Sequence, residues 1–187
     1  MQFLSLVTLL SCQLATGSAL SIPFSSETKA IKRDQTDATL YAYGTNSSGW
    51  PVSYNPIDKL LYIASNANDT TAGLTPITWD IASITSENWQ MNGTLSNGTS
   101  AGSLYILPEA FNAVGVRDDA GITELNGTTT GFGLFATQLV YNNDSNLESQ
   151  FWAQSTEMEG IYVLMWNTAG DLQDDSFPVT VKASEGS

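Results

Sequence analysis

Residues 161–166, Ile-Tyr-Val-Leu-Met-Trp, are six apolar side chains without a break, held between Gly160 and the turn-prone Asn167-Thr168-Ala169-Gly170. The run is too short for a buried helix and about right for a strand. Alternation sends Ile161, Val163 and Met165 to one face and Tyr162, Leu164 and Trp166 to the other, so both faces are apolar. Such a strand must be covered on both sides. It is expected to lie centrally in the fold.

The rest of the chain offers more strands at short spacing, with turn chemistry between them. They are expected over residues 39–43, 52–54, 60–64, 77–81, 88–91, 103–107, 113–117, 131–135, 138–141, 151–153 and 177–182. The intervening turns are residues 46–49, Asn92-Gly93, Asn97-Gly98, Asn126-Gly127 and Asn142-Asn143-Asp144. Asn-Gly pairs favour the positive-φ turns that close hairpins. Pro178 cannot donate to a ladder, which argues for an edge position for 177–182. No segment keeps a helical period; 108–112 and 146–151 are expected to form a helical turn or two at most. The fold class that follows is all-β, an antiparallel two-sheet β-sandwich, with a closed β-barrel as the alternative.

The front of the chain has a different character. An apolar stretch from Phe3 to Leu14, followed by small residues up to Ala19, has the layout of a secretory signal peptide over 1–19. It is shorter than the ~20 residues of a membrane span. Residues 20–33 read as a polar pro-segment ending in the dibasic pair Lys32-Arg33, a site of the kexin-processed type. The remaining 34–187 is the length of one domain. Its only cations are Lys59, Arg117 and Lys182 against eighteen carboxylates, a net charge of −15.

That composition removes whole function classes. The only cysteine, Cys12, lies in the signal segment, so the domain must rest on its core without disulfides. The chain has no histidine, which excludes Ser-His-Asp and Cys-His catalysis and histidine metal ligands. Three cations against so many acids argue against nucleic acid and anionic lipid as partners. No cofactor and no metal is expected. Asn167 to Asp175 is rich in oxygen but lacks the spacing of a calcium loop, and reads as a solvated hairpin.

Six N-x-Ser/Thr sequons, at Asn46, Asn68, Asn92, Asn97, Asn126 and Asn143, stand behind the signal peptide and mark surface loops expected to carry glycan. The carboxylate groups 118–124, 157–159 and 171–175 are the only residues that could act as acid and base in a hydrolase. No catalytic residue is assigned among them, because acids in turns are ordinarily solvated. Of the five tryptophans, Trp79, Trp152 and Trp166 fall within strands and read as core. Trp50 and Trp89 flank loops, and with Tyr54 they are the candidate ligand-binding rings. A sugar offers an apolar face and a hydroxyl rim, which an exposed aromatic ring beside amides can hold.

Leu40-Tyr41-Ala42-Tyr43-Gly44, Gly49-Trp50-Pro51-Val52, Gly131-Phe132-Gly133-Leu134-Phe135, Phe151-Trp152-Ala153 and Pro178-Val179-Thr180-Val181-Lys182, behind a signal peptide and Lys-Arg, together resemble small secreted proteins of filamentous fungi. That set has no assigned activity, so the resemblance implies secretion and no catalytic residue. The functional expectation is a secreted, glycosylated β-sandwich, extracellular or cell-wall associated, that binds, carbohydrate among the partners, or serves as a structural component. A carboxylate-dependent glycosidase and a host-directed effector are the alternatives. Oligomeric state is left open.

Overall fold

The computed structural model describes residues 35–45, 47–81, 89–108, 111–118, 120–121 and 125–184. The signal peptide, the pro-segment with Lys32-Arg33, and Asn46 lie outside them. Fifteen strands occur among the described residues: β1 (Gln35–Ala38), β2 (Leu40–Gly44), β3 (Ser47–Tyr54), β4 (Leu61–Ala64), β5 (Ile77–Ile81), β6 (Asn92–Leu95), β7 (Ser100–Tyr105), β8 (Phe111–Ala113), β9 (Gly115–Arg117), β10 (Phe132–Phe135), β11 (Gln138–Asn143), β12 (Asn146–Glu148), β13 (Phe151–Ser155), β14 (Ile161–Asn167) and β15 (Ser176–Ala183). The fold is all-β and antiparallel, as the short alternating runs predict.

Two sheets share the strands. The smaller has the order β1-β5-β6-β7-β9; the larger runs β10-β11-β15-β13-β14-β4-β3-β2, with β12 on β11 and β8 on β14. β15 also pairs with β2, from Val179↔Gly44 to Ala183↔Leu40. That pairing closes β2, β3, β4, β14, β13 and β15 into a six-strand ring, so sandwich and barrel coexist in one molecule. One cluster of buried side chains draws on both sheets, from Ile77, Trp79 and Leu104 to Leu61, Leu164 and Val181.

The expected central strand is central: β14 pairs with β13 along one edge and with β4 and then β8 along the other. The edge position expected for 177–182 is overturned. β15 lies between β13 and β2, pairing with β13 up to Pro178 and with β2 from Val179 on, so Pro178 stands where the partner changes. The strand expected at 88–91 lies further on, at β6. Asn92-Gly93 is therefore strand and not turn; a Cβ on Gly93 would come within 2.6 Å of Ile77 Cδ1 and 3.3 Å of the Trp79 ring. Glycine is there for close packing. The helical turn expected over 146–151 is not present, and of the one expected over 108–112, residues 109–110 lie outside the described residues. Phe111–Ala113 pairs with β14, and Asp144 and Ser145, at φ 46° and 71°, turn the chain back so that β12 pairs with β11. Two consecutive positive φ values are what a tight hairpin turn needs.

Candidate functional site

One face of the ring strands is apolar from end to end. Tyr162, Leu164 and Trp166 of β14 line it, together with Trp50, Val52 and Tyr54 of β3 and Phe177, Val179 and Val181 of β15. Cross-strand partners keep these residues in register: Val52↔Ile63, Tyr162↔Ile63, Ala153↔Leu164 and Ala153↔Phe177. Burial along this face is graded. Leu164 and Val181 are fully buried, whereas Trp50, Tyr162 and Phe177, at one end, are only half-buried.

Those three rings form a chain. Trp50 and Tyr162 have centroids 6.1 Å apart at 40°, and Tyr162 meets Phe177 edge-on at 5.2 Å and 81°. On the outer face of β2, turned away from these rings, Tyr43 is 43% exposed, with the Lys182 ammonium 5.2 Å from its ring centre. Gly49, at φ 79°, lies under the Tyr43 ring, where any Cβ would be 2.9 Å from it. The mouth formed by Trp50, Tyr162 and Phe177 is bounded by the 156–160 hairpin, where a Cβ on Gly160 would lie 4.0 Å from the Trp50 ring, and by the start of β15. Thr156 Oγ1 accepts from Met158 N and donates to Ile161 O at 2.8 Å, which pins the hairpin. Gln154 Nε2 donates to Asp174 O at 3.0 Å, and Ser155 N to Asp175 O at 2.9 Å. Asp174 and Asp175, whose carbonyls take these bonds, are exposed. Ring faces ringed by acceptors can hold a ligand that offers an apolar face and hydrogen-bond donors.

The outer face of the same strands carries a second recess. A satellite cluster of Ala64, Leu74 and Ile161, with Tyr62 and Ala72 against it, forms its floor. The cleft has a volume of about 270 Å³ and is lined by Asn55, Tyr62, Ala72, Thr156, Glu157, Met158 and Ile161. Tyr62 donates its hydroxyl hydrogen to Asp58 Oδ2 at 2.6 Å. Burial of the ring, then this hydrogen bond and the Asp58 charge, raise its pKa well above the usual phenol range. Another recess of about 310 Å³ lies by Leu107, Pro108, Asn112, Leu125 and Asn126.

Of the three rings singled out in the sequence, the structure brings Trp50 alone to the mouth. Tyr54 is buried at 5% exposure in the core, so it has no ring face to offer. Burial and the Asp58 charge raise its pKa, against an opposing effect of Arg117. Trp89, 39% exposed, belongs to another region, where its carbonyl accepts from Gly131 N. Sequence reasoning missed Tyr162 and Phe177 as surface rings. The one available signal was their position near strand starts, two residues after Gly160 and one after Ser176.

The acids are dispersed. Asp118 Oδ1 accepts from Gly121 N at 3.0 Å in an exposed turn, and Asp171, Asp174 and Asp175 are exposed; Asp119 and Glu124 lie outside the described residues. In the oxygen-rich loop, buried Asn167 spends its side chain on the loop itself, donating to Asp171 O at 2.7 Å and accepting from Gly170 N at 3.1 Å. Among the described residues no three His, Cys, Asp or Glu side chains converge as a metal site. Asn68, Asn92, Asn97, Asn126 and Asn143 are all exposed. Asn92 accepts from Ser103 Oγ at 2.9 Å and Asn143 donates to Glu148 at 3.1 Å. No family model, no curated protein and no solved structure matches the chain.

Proposed function

We propose that this is a secreted, N-glycosylated protein that acts by binding, with carbohydrate as the ligand class, through the aromatic mouth of its six-strand ring. The observation that carries the reading is the partial exposure of Trp50, Tyr162 and Phe177 on a face that is otherwise sealed. Large rings left partly wet at the end of a well-packed core are a cost unless a ligand covers them. The hydroxyl-rich edge of a sugar suits the surrounding acceptors, and its apolar face suits the rings. The signal-peptide layout, Lys32-Arg33 and the six sequons support secretion to the cell wall or extracellular space. So does the resemblance to small secreted fungal proteins.

The test is a glycan array on secreted protein, followed by calorimetry with any glycan retained. Trp50→Ala should weaken that binding several-fold, the size of about 1 kcal/mol for one ring contact, while Trp89→Ala leaves it unchanged. An array without a hit, or equal binding by Trp50→Ala, would sink the reading. Release of reducing sugar that vanishes on replacing one of Asp118, Asp119, Asp171, Asp174 or Asp175 would replace binding by hydrolysis.

A further inference from the structure

We infer that the outer cleft between the 156–160 hairpin and Tyr62 binds a primary ammonium group carried on a small scaffold. This inference is independent of the sugar reading of the mouth, which lies on the opposite face of β14. The cleft's floor is apolar, made by Ala72, Met158, Ile161 and Tyr62. Its polar lining is short of free hydrogens. The Tyr62 hydroxyl donates to Asp58, the Thr156 hydroxyl to Ile161 O, and one amide hydrogen of Asn55 to Ala72 O at 3.4 Å. What remains, apart from the second amide hydrogen of Asn55, is acceptor capacity, chiefly the Glu157 carboxylate and the lone pairs of the Tyr62 oxygen. A ligand must therefore bring the donors, and an ammonium brings three.

Charge selects in the same direction. Glu157 lines the cleft, Asp58 is bonded to the lining Tyr62, and Asp69 accepts from the backbone N–H of the lining Ala72 at 3.2 Å. No Lys or Arg lines it; Lys59, in the neighbouring turn, is exposed to solvent. The Tyr62 ring adds a surface on which a cation is attracted. At roughly 30 Å³ per water the volume holds about nine waters, below the size of a drug-like site. That fits one amino sugar or one lysine-like chain.

The experiment is an NMR titration of the secreted protein with glucosamine, Nα-acetyl-lysine amide, N-acetylglucosamine and glucose. The two ammonium probes should perturb Tyr62, Met158 and Ile161, and the two neutral sugars should bind at least about tenfold more weakly. Binding of glucosamine alone identifies an amino sugar, and of the lysine amide alone a lysine side chain; either supports the site. Glu157→Gln, in an exposed turn, should weaken the ammonium probes about threefold with an unchanged melting temperature. Trp50→Ala should not affect them, so a failed mouth and a failed cleft give different results. Neutral sugars binding as well as the amines, no effect of Glu157→Gln, or no binding of either amine would overturn the inference.

Discussion

The two ends of the ring's inner face carry nearly the same side chains and meet different fates. At one end Trp166 packs edge-on against Phe151 at 5.0 Å and Tyr141 at 5.8 Å, and Tyr141 in turn meets Phe132 at 5.5 Å. Trp166, Phe151 and Phe132 are at most 2% exposed there. At the other end Trp50, Tyr162 and Phe177 form a similar edge-packed chain and remain half-wet. Local sequence does not separate them: Tyr162 and Trp166 are four residues apart on one strand and point the same way. The difference is in the cover. β10 and β11 bring Phe132 and Tyr141 over the Trp166 end, while the described strands bring no third layer over Trp50. An aromatic residue becomes core or surface according to what the topology lays over it.

The hardest way to break that comparison is to charge the strand between the two ends. Leu164→Asp would bury a carboxylate midway along the face, costing several kcal/mol against a total stability of roughly 5–15. The yield of folded protein should collapse; a normal yield would mean that the face is not continuous. Next come the two tryptophans. Trp166→Ala should cost about 3–5 kcal/mol, as large-to-small changes in a sealed core do, and Trp50→Ala about 1–2, since a half-exposed ring leaves a smaller void. Denaturant unfolding of both measures the gap, and equal losses would abolish the distinction between the ends. The smallest effect concerns the outside of the strand. Tyr62 keeps its proton in the folded state beyond the pH, about 10, at which unfolded tyrosine loses it. The stability this supplies is complete below that pH and is lost as pH climbs toward the folded value. Tyr62→Phe should flatten the alkaline fall in melting temperature between pH 9 and 11.5, roughly the range spanning that ionisation. An unchanged slope would mean that burial and the Asp58 bond do not hold Tyr62 protonated in the folded state.

Much of the fold was legible, because strand length and alternation are local properties. Ile77–Ile81 is a strand with the expected bounds, and Asn97-Gly98 makes the hairpin turn it suggests, with Gly98 N bonded to Leu95 O at 2.8 Å. What misled was chemistry with two uses. Asn92-Gly93 has turn composition yet serves as the strand against which Trp79 packs, and Pro178 suggests an edge yet sits just beyond the β2 ladder. Both outcomes depend on partners tens of residues away. The mouth was half legible: Trp50 stood out beside Gly49 and Pro51, while Tyr162 was hidden in an apolar run. Tyr54 looked equivalent to Trp50 and differs only by being further down the same inward-facing row.

The closure of the ring has a kinetic meaning. Thr39 N donates to Ser184 Oγ at 3.1 Å across 145 residues, and β2 finds β15 over nearly the same separation. Synthesis at ~5–20 residues per second takes on the order of ten seconds to supply that partner, and contacts so distant in sequence place the fold among the slow ones. Until β15 arrives, one edge of β2 stays open, which is a hazard for pairing with other chains. All six sequons precede β15 in the chain. Each sequon therefore leaves the ribosome while the ring is still unclosed, so the glycosylation proposed above would place solubilising sugar on the half-made sheet when it matters most.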